Sequence, residues 1–427
     1  YFLLRGLELL KQNGILCYII SDTWRTLRTF EPLRTRLLKY NIIHYVDLPQ
    51  WIFDATVNTN ILTLVKNEKD NEIVTAKFNS SLDKNWEILN QTLKKISQQN
   101  LIEESNEKVC IYTINKNDIK QVNNNRFIIG NSDLYKIFKN NKYKILGNIS
   151  DIKVGLQTGD NKFYIRKNLG VSGSYEMINK NLILTDKEIN KLSEDEKENG
   201  IDKKKHSGRC FIPYDKGGES DVSEGWLPNY FVSPSYFINW SKESIKRMKT
   251  YKVSDFKKDR GLSAKIKPGD KTRLVSRFQN INFFFKHGIS YSSLGVYAPT
   301  FRISHCGIFD QKSCFIGIKK HSSKVLLGIL CSKPIRFFAR SFISHTTDFQ
   351  VESAKLIPLP TLNEREKEKI ETLIDNIIKK QKINSKYNYL NNEQLTIDDI
   401  VSKGFDLKSS LIQEINIWHK RTYPKLF

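Results

Sequence analysis

Two different spacings of apolar residues alternate over the first 66 positions, and this alternation restricts the start of the chain to a layered arrangement of helices and strands. Phe2, Leu3, Leu7 and Leu10 fall on one helical face, and Gly14 supplies a stop. Ile15 to Ile20 is a continuous apolar run of the kind a buried parallel strand shows. Pro32 suits the first turn of a second helix that buries Leu33, Leu37 and Leu38. Ile42 to Leu48 and Val57 to Val65 are rich in β-branched residues and predict two further strands. Helix, strand, helix, strand, strand is the closing half of a doubly wound sheet without its opening half. Three strands cannot cover themselves, so apolar surface is expected where further strands would dock. Together with the first residue being Tyr1, this sets the expectation of a piece of a longer protein.

Residues 67–145 are dominated by Lys, Asn, Gln, Glu and Ser, with weak helical stretches at Leu82 to Ile96 and Leu134 to Phe138, and predict a helical connector. β character returns from Ile149 to Ile165 around the turn Val154-Gly155-Leu156-Gln157-Thr158-Gly159. Short strands, glycines and aromatics then continue to Pro360, so 146–360 is expected to be an irregular α+β domain. Beyond it, 361–427 is a helical segment. Ile370, Leu373, Ile374, Ile377 and Ile378 share one helical face, and Leu407, Leu411, Ile412, Ile415 and Trp418 mark a second.

Lys and Arg number 69 against 46 Asp and Glu, a net charge of +23. Self-repulsion on this scale is relieved by a polyanion, and nucleic acid is the natural one, because neutralised phosphates release condensed counterions. From Lys271 to Lys355 there are 13 Lys or Arg and three acids, Asp310, Asp348 and Glu352, leaving +10. Phe278, Phe283, Phe284, Phe285, Tyr291, Tyr297 and Phe301 lie among these cations, as core residues or as rings beside bases. The expectation is a basic face toward DNA.

Other chemistries find little support. Six cysteines without paired spacing do not make a disulfide framework, which fits a reducing cytoplasm. No apolar run approaches the ~20 residues of a membrane span. His305, Cys306, Cys314 and His321 lack the close pairs of a zinc site. There is no Gly-x-Gly, no phosphate-cradling loop and no Gly-x-Ser-x-Gly elbow.

Several segments are, however, collinear with one family. Arg5-Gly6-Leu7-Glu8-Leu9-Leu10-Lys11, Gly14-Ile15-Leu16 and Ile19-Ile20-Ser21 resemble the stretch after the catalytic motif of adenine-specific DNA methyltransferases, as found in type IIG restriction–modification enzymes and PglX-type (BREX) phage-defence proteins. Asp47-Leu48-Pro49, Phe53-Asp54-Ala55-Thr56-Val57 and Thr59 through Lys66 are similar to that fold's last strands. Val154 through Phe163 resembles the opening of the family's target-recognition region. Pro213 through Gly218, Asn239-Trp240, Phe285 through Ser292, Gly307 through Asp310, Leu330 through Lys333, Asp348 through Val351 and Ile357 through Pro360 follow in order.

The resemblance implies the C-terminal half of a Rossmann-like methyltransferase sheet, then an α+β target-recognition domain and C-terminal helices. It implies a parent enzyme that moves a methyl group from S-adenosylmethionine to the exocyclic amine of an adenine flipped out of the duplex. Double-stranded DNA, the missing N-terminal methyltransferase half and other restriction or phage-defence subunits are the partners it implies. The family's Asn/Asp-Pro-Pro-Tyr/Phe motif is absent, since the chain has no Pro-Pro dipeptide, and the cofactor motifs are absent too. The chain alone is therefore expected to be inactive. By the same resemblance Phe53 packs against the extruded adenine, the alternative being a core plug beneath the sheet. Gln157, Thr158 and Asn161 on the glycine turn, Ser290, Tyr291 and Ser292 after Gly288, and Lys216, Arg273, Arg277, Lys286 and Arg302 are the candidate DNA contacts. A specificity subunit is the rival reading, carried by the Pro358-to-Ile378 stretch. A truncated sheet in residues 1–66 argues against it.

Overall fold

A computed structural model of the chain describes residues 1–53, 57–69, 72–78, 85–98, 103–106, 108–139, 142–171, 174–216, 227–295, 297–319, 322–344 and 347–426. The first unit is a six-stranded sheet. Its strands are β1 (Ile15–Ser21), β2 (Asn41–Asp47), β3 (Thr59–Val65), β4 (Glu72–Phe78), β5 (Glu104–Ser105) and β6 (Val109–Asn115), in the order β1-β3-β2-β4-β6-β5. β3 runs antiparallel to both β1 and β2, so β1 and β2 are parallel to each other and end on the same side. Two expectations change here. β1 does not lie between parallel neighbours: it pairs with β3 on one side and is the sheet's outermost strand among the described residues. Its continuous apolar run therefore leaves Ile15 68 % and Ile19 53 % exposed, beside exposed Tyr1, Phe2 and Leu9. The segment expected to be a helical connector also supplies β4, β5 and β6. β4 joins β2 in parallel and β6 in antiparallel register.

Helix α1 (Phe2–Leu9) buries Leu3 and Leu7, one turn apart, and α2 (Glu31–Leu37) carries Pro32 in its first turn and buries Leu37. The buried Arg34 of α2 donates to the carbonyls of Trp24 (2.7 Å), Leu27 (2.8 Å) and Asn124 (2.9 Å), which ties the loop after β1 to the segment after β6. The opposite face of the sheet, Val46, Ala76, Phe78 and Ile111, is covered by Leu89 and Ile96 of α3 (Trp86–Ser97).

Two four-stranded sheets follow. β7 (Ser150–Lys153), β11 (Ile289–Ser292), β12 (Phe301–Ile303) and β14 (Ser313–Ile318) form one antiparallel sheet in the order β12-β11-β14-β7. β8 (Ile165–Lys167), β9 (Phe211–Asp215), β10 (Tyr236–Asn239) and β13 (Ile308–Phe309) form the other, in the order β13-β9-β10-β8. The latter has its own core around Tyr164, Ile212, Ile238 and Trp240.

Three long helices close the chain: α4 (Glu364–Ile383), α5 (Glu393–Gly404) and α6 (Ser409–Thr422). A reciprocal cap starts α4, with Asn363 accepting from the Glu366 amide and Glu366 accepting from the Asn363 amide, both at 2.9 Å. Its buried face is Ile370, Ile374, Ile377 and Ile378, as the spacing predicts. The C-terminal helices, one face of the first sheet and the β11–β14 sheet share a single buried cluster that contains Leu64, Tyr291, Ile374 and Trp418. The fold is thus mixed α/β with C-terminal helices.

Candidate nucleic-acid interface

The densest positive charge lies earlier than the sequence window suggested. Residues 242–280 hold 13 Lys or Arg and four acids, a balance of +9 in 39 residues. Lys242–Thr250 and Val253–Asp259 are short helices rich in lysine, and an extended stretch around Arg273–Arg277 runs back beside them. That stretch is stitched to the helices by Val253 N–H to the Arg273 carbonyl (2.9 Å) and Val275 N–H to the Tyr251 carbonyl (3.0 Å).

Two acids explain how so many cations stay in place, Asp160 from the glycine turn and Asp270 from within the segment. Asp160, buried at the glycine turn, pairs with Arg247 (3.5 Å) and Arg260 (3.1 Å). Asp270 pairs with Lys257 (2.6 Å) and Arg273 (3.1 Å), and the Lys257 hydrogen bond together with the Lys267 amide holds its carboxyl below the ordinary carboxylate range. Aromatic rings brace the same cations: Arg247 lies 3.6 Å from the Tyr251 ring centroid and Arg260 lies 4.2 Å from that of Phe256. Each acid fixes two cations and neutralises only part of their charge, so the surface stays positive.

The glycine turn meets this surface directly. Gln157 and Arg277 exchange both backbone hydrogen bonds, at 3.0 and 2.8 Å, and Ser276 donates to the Thr158 carbonyl at 2.6 Å. Only glycine fits at two positions. A Cβ on Gly155 would stand 1.8 Å from the Phe309 carbonyl oxygen; Gly159 has φ +68°, and a Cβ there would stand 2.3 Å from the Val275 carbonyl oxygen.

The sequence candidates separate under this geometry. Gln157, Arg273, Arg277 and Lys286 are exposed. Lys216 is half-buried with its ammonium 5.2 and 5.4 Å from the rings of Tyr175 and Tyr236, and Tyr175 in turn accepts from the Asn161 amide at 3.3 Å. Gln157, Asn161, Lys216, Arg273 and Arg277 are thereby gathered around one turn. Lys286 stands over Phe283 together with Lys153, at the start of the same turn segment.

Others are corrected. Arg302, Ser290 and Tyr291 are 3 %, 0 % and 0 % exposed, inside the β11–β14 sheet. In the β11–β12 register Ser290 faces Arg302, whose guanidinium donates to Ser313 and is drawn below its usual pKa by burial. None of the three can touch DNA from there. Thr158 is buried, and its hydroxyl donates to the Asn161 side chain, so it shapes the turn. Ser292, half-buried, donates to the Leu294 carbonyl at 3.4 Å. Lys333 and Arg336, which swelled the charge window, sit in the helical core. The sequence reading missed Arg247, Lys249, Lys257 and Arg260; their spacing alone, 13 cations in 39 residues, would have located them. Gly217 and Gly218 lie outside the described residues.

Phe53 lies elsewhere, on the first sheet. It follows the short turn Gln50–Ile52 after β2, on the side where β1 and β2 both end, the side on which open α/β sheets bind ligands. At 40 % exposure and outside the buried clusters, it is not a core plug. At the same edge Arg25 donates to Asp47 at 2.5 Å and to the Phe127 carbonyl at 3.1 Å, and Asn60 donates to Asp47 at 2.9 Å. Asp47 thus accepts on both oxygens. Among the described residues there is no cluster of His, Cys, Asp and Glu able to hold a metal, and no helix long and apolar enough to cross a membrane.

No family model and no curated protein matches the chain by sequence. Its fold does match solved structures. With a TM-score of 0.51 and 12 % identity, 99 % of the chain superposes on 50 % of a type IIL restriction–modification enzyme, MmeI, solved in complex with DNA. The type IIG restriction endonuclease BpuSI aligns with a TM-score of 0.32 and 13 % identity, over 99 % of this chain and 49 % of that one. The chain spans about half the length of these structures.

Proposed function

We propose that this chain is the DNA-recognising part of an adenine-specific DNA methyltransferase of the restriction–modification or PglX type. One observation carries the reading: cations at +9 over residues 242–280 are pinned by Asp160 and Asp270 and sewn to an exposed glycine turn that bears Gln157. The fold it shares with half of a restriction–modification enzyme solved on DNA supports the reading, as does the collinear resemblance of its motifs.

In this account Arg273, Arg277, Lys286 and Lys216 hold phosphates and set the register on the duplex, while polar side chains at the turn meet base edges. Phe53, at the carboxyl ends of β1 and β2, packs against the extruded adenine. The exposed edge of β1 receives the strands of the half that carries S-adenosylmethionine and the Asn-Pro-Pro-Tyr/Phe motif. S-adenosylmethionine supplies the methyl group there, and this chain supplies DNA recognition and one wall of the base pocket.

The test is incorporation of labelled methyl into duplex DNA, run with this chain alone and with the longer protein. The expected result is methylated adenine from the longer protein and none from this chain. Methylation by this chain, or methylated cytosine from the longer protein, contradicts the reading.

A further inference from the structure

Below the glycine turn lies a polar cleft of about 380 Å³, lined among others by Gln157, Asn161, Tyr175, Arg260, Asp310 and Gln311. Most of its hydrogen-bonding groups are committed. Asn161 accepts from Thr158 and donates to Tyr175. Arg260 is held by Asp160. Asp310 accepts from the Tyr214 hydroxyl at 2.7 Å and the Lys312 amide at 2.7 Å, and burial raises its pKa. Gln157 and Gln311 differ: no hydrogen bond of either side chain occurs among the described residues.

These two amides line the same cleft. Leu156 and Asp310 form a parallel bridge, and the residue after each, Gln157 and Gln311, lines the cleft. Their backbones are braced. Tyr214 donates to the Leu156 carbonyl (3.2 Å) as well as to Asp310, and Gln157 is bonded twice to Arg277. A primary amide presents one donor face and one acceptor, the complement of adenine's N7 and exocyclic amine in the major groove; guanine's two acceptors call instead for a guanidinium. The one arginine lining the cleft, Arg260, is paired with Asp160.

We propose that Gln157 and Gln311 together read an A·T pair of the recognised sequence. This rests on the DNA-binding reading above. It is tested by selecting duplexes from a randomised library with the full 427-residue chain, then measuring affinities for single-base variants of the selected sequence. The expected selection contains a fixed adenine at which Gln157→Ala and Gln311→Ala each lose about tenfold or more in discrimination, with the other positions and the salt dependence unchanged. Gln311→Glu should move the preference at that position toward cytosine, whose amine a carboxylate accepts. Both side chains reach the surface, so the thermal midpoints of the variants should match that of the parent chain. If the variants weaken all duplexes alike, or leave every base preference intact, the amide pair is not a reader although the chain binds DNA. If no sequence is enriched and no duplex is bound, the DNA-binding reading fails with it.

Discussion

A guanidinium can neutralise a phosphate only where solvent, and hence the phosphate, can reach it. Arg273 and Arg277 meet that condition and Arg302 does not, although all three were equal candidates as letters in a basic stretch. If each exposed arginine holds one phosphate, Arg273→Gln and Arg277→Gln should each flatten the slope of log K against log salt by about 1. Arg302→Gln should leave that slope unchanged and lower the thermal midpoint, because it alters a buried polar contact with Ser313. The turn around Gln157 was legible from its glycines. The burial of Ser290, Tyr291 and Arg302 was not, because it follows from the pairing of β11 with both β12 and β14, which one sequence does not display. Phe53 gives a second contrast. Phe53→Ala, at an exposed position, should change stability by less than about 0.5 kcal/mol yet weaken binding to a duplex carrying an extrahelical adenine by about tenfold. Phe127→Ala, in the core at 0 % exposure, should cost about 3–5 kcal/mol of stability.

Elements tell a similar story of partial legibility. The face of α4 could be read because Ile370, Ile374 and Ile377 repeat at helical spacing after a clear Asn363 cap. β4 and β6 could not, because Glu72–Phe78 and Val109–Asn115 are seven-residue segments set in long polar surroundings whose composition suggested a connector. β1 misled in the other direction: apolar on both faces, it reads as buried although one edge of it is open. At the glycine turn the element depends on close backbone approach. Gly155→Ala should cost about 1–3 kcal/mol or more, read as a lowered unfolding midpoint, since the new methyl group would collide with a backbone carbonyl. In α6, burial and the nearby Arg336 and Lys333 push the His419 pKa down to about 2. The unfolded chain then binds a proton below about pH 6.5 that the folded chain refuses, so this residue lowers stability as pH falls, by up to ~1.4 kcal/mol per unit. His419→Gln should flatten the stability profile between about pH 6 and 4.

For the molecule as a whole, a mixed α/β fold ending in helices was visible in apolar spacing. The shared core that joins the first sheet to the last helices was not, since it depends on contacts between residues as distant as Leu64 and Trp418. The +23 charge, by contrast, was visible from composition and acquired meaning only when 242–280 proved to be one stitched segment beside the glycine turn. The central claim is that this segment is a DNA-facing surface, and the direct measurement is a fluorescence-anisotropy titration of the chain with duplex DNA and with duplex RNA of equal length, repeated from about 50 to 200 mM salt. The account predicts tighter binding to DNA, with log K falling at a slope of about −4 or steeper as the exposed cations around the turn release counterions. Binding that is insensitive to salt, or equal for DNA and RNA, contradicts it.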